Sequence, residues 1–130
     1  MNKETLGNTN IEIGASVNLL DTDQQLINQY RSSFDALSDE NRRRSFRNVI
    51  SYSGNCGFAN GGSCQYLINT DTGNTYRVTV RVQWYRGIDS GSDDRVFTIN
   101  AGSKLYLGCT KGNDLPTTRY DRQVVGEEIL

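Results

Sequence analysis

Histidine is absent from this chain of 130 residues. That absence excludes Ser-His-Asp and Cys-His catalysis in their usual forms, together with the common histidine-containing zinc sites. The three cysteines are one too few for a zinc site built from cysteine alone. We therefore expect no cofactor and no metal site, and the residue types present favour a protein that is not an enzyme.

Proline and long apolar runs are also scarce. The chain has one proline, and no run approaches the roughly 18 apolar residues of a membrane span. The formal net charge of -1 gives no general attraction to nucleic acid or to an anionic membrane surface. We therefore expect no membrane span, and a nucleic-acid partner would need a local basic patch.

The cysteines bear on the redox compartment. Cys56 and Cys64 bracket the glycine-rich segment CGFANGGSC, so a disulfide between them is sterically easy. Cys109 ends an apolar pattern and fits a small buried residue, while its pairing with Cys56 or Cys64 stays open. Few lysines and abundant Asn, Ser, Thr and Gly favour an exported protein, periplasmic, surface-bound or secreted. A cytoplasmic location is the alternative.

The order of the patterns predicts one domain, residues 1–130, with helices before strands. Residues 1–10 are polar and expected to be frayed. Residues 11–55 are predicted to be mainly helical, after one short strand at their start. Residues 56–130 are predicted to be rich in β-strands.

Two amphipathic helices are predicted in the front half. Asp21 or Asp23 is a plausible cap for the first, and apolar residues follow at helical spacing. Ser38 or Asp39 is a plausible cap for a second helix, which carries the chain's basic cluster. This cluster consists of Arg42, Arg43, Arg44 and Arg47.

The strongest pattern is YRVTVRVQWYR, residues 76–86, which alternates without interruption. Its valines and Trp84 fall on one face and are expected at the centre of the core. Arg77, Arg81 and Tyr85 fall on the other face. The segment therefore predicts a half-buried strand whose second face is either exposed or covered by the helices.

Further strand patterns surround this one. CQYLINT and the turn DTGN join it in a predicted hairpin over residues 64–86, followed by a polar loop, GIDSGSDD. RVFTI, KLYLGC and a segment near 122–125 supply the remaining strands. The fold predicted is α+β by content, an antiparallel β-sandwich that resembles immunoglobulin or fibronectin-type modules, with one or two N-terminal helices packed on it.

Aspartates raise the possibility of carboxylate chemistry. Asp71, Thr72 and Gly73 match the tripeptide of aspartic proteases, but the flanking residues differ, and a tight turn selects the same residue types. Asp93 and Asp94 lie in the polar loop, where a calcium ion is conceivable but the EF-hand pattern is not met.

These observations favour a non-enzymatic binding or assembly module. It would recognise a protein or glycan through an exposed sheet face or loops, with Arg77, Arg81 and Tyr85 as candidate contacts. Arg43, Arg44 and Arg47 are candidates on the helix, and a homo-oligomer is compatible with this function. A small effector or enzyme using Asp71, Asp93 and Asp94 is the alternative class. Nucleic-acid binding through the basic cluster is the third.

Overall fold

The computed structural model describes residues 11–12, 15–56 and 61–130, so the expected fraying of residues 1–10 lies outside the described part. Two helices and eight strands follow one another along that part. In chain order they are β1 (Ile11–Glu12), β2 (Ala15–Val17), α1 (Asp21–Asp35), α2 (Asp39–Arg44), β3 (Asn48–Asn55), β4 (Ser63–Asn69), β5 (Tyr76–Arg86), β6 (Asp89–Ile99), β7 (Lys104–Cys109) and β8 (Arg119–Ile129).

The strands form two four-stranded sheets. The first sheet has the order β1-β6-β5-β8, and the second has the order β2-β7-β4-β3. Pairing is antiparallel except for the short parallel pair of β1 with β6. The prediction of an α+β chain dominated by antiparallel strands is therefore confirmed.

Apolar side chains from both sheets meet in one cluster, so the sheets pack face to face as a β-sandwich. Val78 and Val80 of β5 are fully buried there, as their alternation predicts. The buried members of this core are Leu67, Tyr76, Val78, Val80, Phe97, Ile99 and Leu105.

Trp84 lies outside this cluster, and its predicted place at the core centre is wrong. The indole is partly exposed and lies over Gly91 of β6, where a Cβ would come within 2.6 Å of the Trp84 Nε1 atom. Strands β5, β6 and β8 have 11 residues each, whereas β4 has 7 and β7 has 6. The longer strands extend past the second sheet, which explains why Trp84 is only partly covered.

Helix α1 packs on the outer face of the second sheet. Its Asp23 carboxylate accepts a hydrogen bond from the Lys104 Nζ of β7 at 2.8 Å, and both residues are buried. Ile27 of α1 and Ile68 of β4 are also fully buried, yet neither belongs to the cluster between the sheets. These residues form a second apolar layer between the helix and the sheet.

The hairpin predicted over residues 64–86 is wrong, because β4 and β5 belong to different sheets. The DTGN segment instead carries the chain from one sheet to the other. Asp71 braces this connection, since its carboxylate accepts hydrogen bonds from the Gly73 amide at 2.9 Å, Asn74 Nδ2 at 3.0 Å and Tyr76 Oη at 2.7 Å.

The polar loop predicted after β5 is also wrong, because residues 89–94 form the first half of β6. The turn is only Gly87 and Ile88, and Gly87 has a φ of +59° that suits a two-residue hairpin. Residues 89–94 have low strand propensity, but their pairing with β5 outweighs it. One such cross-strand pair is Arg81 with Asp94.

Strand β3 lies within residues 11–55, where mainly helix is expected. Helix α2 ends at Arg44 after six residues, although the Ser38 hydroxyl caps it by accepting a bond from the Asn41 amide. Beyond it, the Glu127 carboxylate of β8 accepts hydrogen bonds from the Arg47 amide at 2.9 Å and the Asn48 amide at 3.0 Å. A contact from the other sheet thus fixes the start of β3.

The disulfide joins Cys56 to Cys109, so the pairing of Cys56 with Cys64 predicted from their spacing is wrong. Cys64 is a free thiol, although it faces Cys109 in the β4–β7 register. Gly62 leaves room for the bridge, because a Cβ there would lie 2.5 Å from the Cys109 sulfur. Long-range strand pairing, rather than the length of the glycine-rich segment, decides which sulfurs meet.

Candidate functional site

The outer face of the first sheet is open to solvent along β5. Arg81 and Tyr85 of this strand are exposed, and Arg77 is partly exposed. Helix α1 lies on the other sheet, so this helix does not cover these residues. The structure therefore brings three of the predicted binding residues together on one face. We call this surface the open face. It consists of Arg77, Thr79, Arg81, Gln83 and Tyr85 of β5, Ser92 and Asp94 of β6, and Glu128 of β8.

Ion pairs across neighbouring strands hold both arginines of the open face. Arg81 makes two bonds to Asp94, with Nε to Oδ1 at 2.9 Å and Nη2 to Oδ2 at 3.2 Å. Arg77 Nη1 donates to the Glu128 carboxylate at 2.9 Å. The hydrogen bond from Arg81 lowers the pKa of Asp94, and the same bond raises the pKa of Arg81. The Arg81–Asp94 pair therefore stays ionised at neutral pH.

Two shallow depressions mark the open face. A depression of about 560 Å³ is lined by Arg81, Gln83, Ser92, Asp93 and Asp94. A second, of about 220 Å³, contains Arg77 and Thr79 and reaches Val96 and Glu128. The first is lined almost entirely by planar or hydroxyl-bearing polar side chains, which suits hydrogen bonding to a polar ligand.

Tyr85 supplies the exposed aromatic ring of the open face. It is 47% exposed, and its hydroxyl donates to the Gln83 Oε1 at 3.4 Å. Tyrosine presents a rigid apolar ring with a polar tip, a combination common at recognition surfaces.

Arg42 and Arg47, the two members of the basic cluster whose side chains the structure describes, line one cleft. Arg47 lies where α1 meets the sandwich, with its guanidinium 4.3 Å from the Phe34 ring centroid and 3.9 Å from Asp71. Arg42 donates to the backbone carbonyls of Phe34 and Asp35 at the end of α1. The side chains of Arg43 and Arg44 lie outside the described part of the structure.

A cleft of about 370 Å³ lies beside Arg47. Phe34 and Phe46 line it, and Glu127 closes it from β8. Glu127 is a residue that pattern reading missed; the signal that was available is the pair of adjacent glutamates in an otherwise apolar strand segment, VVGEEI. Because Glu127 binds the backbone at the start of β3, we assign this cleft a structural role.

The predicted carboxylate set does not form one site. Asp71 is buried in the β4–β5 connection and does not line the depression that holds Asp93 and Asp94. Asp93 pairs with Arg95 at 3.3 Å, and Asp94 pairs with Arg81. Among the described residues, no three His, Cys, Asp or Glu side chains form a group suited to a metal ion.

Comparisons with known proteins identify no relative. No protein-family model matches the chain, and neither the curated proteins nor the solved structures yield a match. In the described ranges, no helix has the length and apolar character needed to cross a membrane.

Proposed function

We propose that this chain is a non-enzymatic binding module whose open face recognises a glycan or a protein surface. One observation carries the proposal: the helix covers the second sheet, while the first sheet leaves Arg77, Arg81 and Tyr85 exposed around two depressions. The face is broad and shallow, as expected for recognition of an extended partner rather than for enclosure of a substrate.

The polarity of the open face favours a glycan over a protein. Protein interfaces have cores depleted in charged residues, whereas the larger depression is built from Arg81, Asp94, Gln83 and Ser92. The pairing of Arg81 with Asp94 holds both side chains in place before a ligand arrives, which lowers the entropy lost on binding. Sugar hydroxyls both donate and accept hydrogen bonds, and this lining supplies partners for both.

The immunoglobulin-like or fibronectin-like architecture remains a prediction. Two facing sheets that are antiparallel except for the short β1–β6 pair support it. The strand order is a point against it, because immunoglobulin domains place the last strand beside the preceding strand, whereas here β8 pairs with β5 and β7 lies in the other sheet. Export likewise remains a proposal, supported by the Cys56–Cys109 disulfide.

Paired variants test the proposal on a glycan array and on affinity columns. Replacing Arg81 and Asp94 together by alanine leaves the net charge unchanged and removes the centre of the larger depression. Exposed ion pairs contribute little to stability, so we expect this variant to fold. We expect the wild type to bind a defined glycan or protein, and the double variant to bind it at least about tenfold more weakly, a loss of about 1.4 kcal/mol.

The matched control replaces Arg31 and Asp35, which are exposed on α1, by alanine. It should bind like the wild type. The proposal fails if the wild type elutes as a monomer that binds nothing on the array or the columns, or if the open-face variant retains full affinity.

A further inference from the structure

Arg122 of β8 reaches between the two sheets. Its Nη1 donates to the Gln65 Oε1 of β4 at 2.7 Å and to the Cys109 carbonyl oxygen of β7 at 3.0 Å. Gly108 makes space for this side chain, since a Cβ there would lie 2.6 Å from the Arg122 Nη2 atom. No sequence pattern singles out this position, because Arg122 occurs in an ordinary alternating segment.

No carboxylate among the described residues pairs with the charge of Arg122. Both acceptors of Arg122 are neutral, and none of the described residues forms an ion pair with it. Burial lowers the pKa of Arg122, although an arginine remains charged at neutral pH. Six other described arginines differ in this respect, because each has a carboxylate within 4.0 Å: Arg42, Arg47, Arg77, Arg81, Arg86 and Arg95.

Hydrogen-bond donors outnumber acceptors around this group. Gln65 is fully buried, and its Nε2 has no hydrogen-bond partner. The Nε and Nη2 groups of Arg122 donate to no described residue. The Tyr120 ring centroid lies 5.3 Å from the guanidinium carbon, and Trp84 is the cross-strand neighbour of Tyr120. A desolvated cation beside an unpartnered amide donor requires an anion or an acceptor.

We propose that Arg122 and the Gln65 amide form a binding site for an oxyanion, a carboxylate or sulfate-like group of a ligand. The guanidinium is only partly buried, so a ligand has access to it. Planar guanidinium groups bind such oxyanions through paired N–H donors, here Nε and Nη2. This site is separate from the open face, so it stands whether or not the proposed function holds.

The test is an NMR titration of ¹⁵N-labelled protein with sodium acetate and with sodium sulfate, each against sodium chloride at equal ionic strength. The Arg122 Nε–H and Gln65 side-chain amide signals should shift saturably. The anion concentration at half-saturation should be about 1 mM or above. Tighter binding of acetate would identify a planar carboxylate as the ligand group, and tighter binding of sulfate a tetrahedral one. Shifts that stay linear in both salts would overturn the proposal.

Variants separate this site from general salt effects. Arg122→Lys keeps the charge but removes the paired donors, and it should weaken binding of the oxyanion at least about tenfold. Arg119→Lys, an exposed position on the same strand, should behave like the wild type. Gln65→Glu places a carboxylate beside Arg122 and should abolish the saturable shift in a folded protein. If Gln65→Glu responds to the salts as the wild type does, the proposal is wrong, whatever the folding of the Arg122 variant.

Discussion

Asp71 is the residue on which the connection between β4 and β5 depends. Three donors bond to its carboxylate, and its side chain is nearly buried. Burial raises its pKa, but the hydrogen bonds from Tyr76, Asn74 and Gly73 outweigh that effect, so the pKa lies below its ordinary value of 3.8. The ionised form is therefore the form that the fold stabilises.

Asp71→Asn should lower stability and flatten its dependence on acid pH. A carboxyl whose pKa is depressed by folding contributes stability above its unfolded pKa, and that contribution disappears as the pH falls through the folded pKa. We expect a loss of about 2 kcal/mol in the free energy of unfolding at pH 7, because a neutral amide replaces the charged carboxylate that accepts these hydrogen bonds. Urea unfolding at pH 7 and pH 3 measures both effects.

Asp121→Asn, at an exposed position of β8, is the control and should keep the acid dependence of the wild type. Equal losses between pH 7 and pH 3 in the Asp71 variant and the wild type would contradict this role of Asp71.

Among the secondary-structure elements, α1 is held to the second sheet by a buried ion pair. The Asp23 Oδ2 atom accepts from the Leu20 amide at 2.9 Å and from the Lys104 Nζ at 2.8 Å. The ammonium also lies 4.3 Å from the Tyr66 ring centroid. Lys104 is 3% exposed, so removing its partner leaves a charge in a desolvated place.

Asp23→Asn should therefore cost about 3 kcal/mol, the lower end of the range for breaking a buried pair. Lys104→Met combined with Asp23→Asn should cost less than the sum of the two single changes, since no buried charge is left. Urea unfolding of the three variants gives these energies. Asp94→Asn, which breaks an exposed pair, should cost much less than Asp23→Asn. An Asp23→Asn cost as small as that of Asp94→Asn would refute the anchoring role.

Strands and helices were predictable where their pattern is local. The alternation of β5 predicted both its strand and its half-burial, and the spacing in residues 21–35 predicted α1. The sequence also indicates which sheet the helix covers. Tyr66, Leu67 and Ile68 put apolar groups on both faces of β4, whereas β5 has polar groups on one face. The start of β3 was not encoded locally, because Glu127 fixes it from a distant strand.

At the scale of the whole molecule, the Cys56–Cys109 disulfide links β7 to the end of β3 across 53 residues of chain. The sequence alone left three pairings open, and the register that brings Cys109 to this end of the second sheet depends on which strands share a sheet. The distribution of the strands between the two sheets is also the reason why β4 and β5 do not form a hairpin. Side-chain periodicity specifies the faces of a strand but not its neighbours.

Removing this disulfide should cost about 4 kcal/mol by loop-closure entropy. Cys56→Ser combined with Cys64→Ser tests this by urea unfolding, because Cys64 faces Cys109 and would otherwise be free to pair with it. Cys64→Ser alone, which removes only the free thiol, should cost much less. Thiol counting in denaturant should find one reactive thiol before reduction and three afterwards. Three thiols before reduction would show that the bridge is absent.

Recognition of a ligand by the open face is tested by mapping a bound ligand onto β5. The measurement is the change in ¹⁵N amide and side-chain NMR signals when a glycan or protein identified on the array or columns is added to the labelled chain. We expect perturbed side-chain signals at Arg77, Arg81 and Gln83, with the signals from the exposed surface of α1 unchanged. Perturbations confined to α1, with those three side chains unaffected, would contradict it.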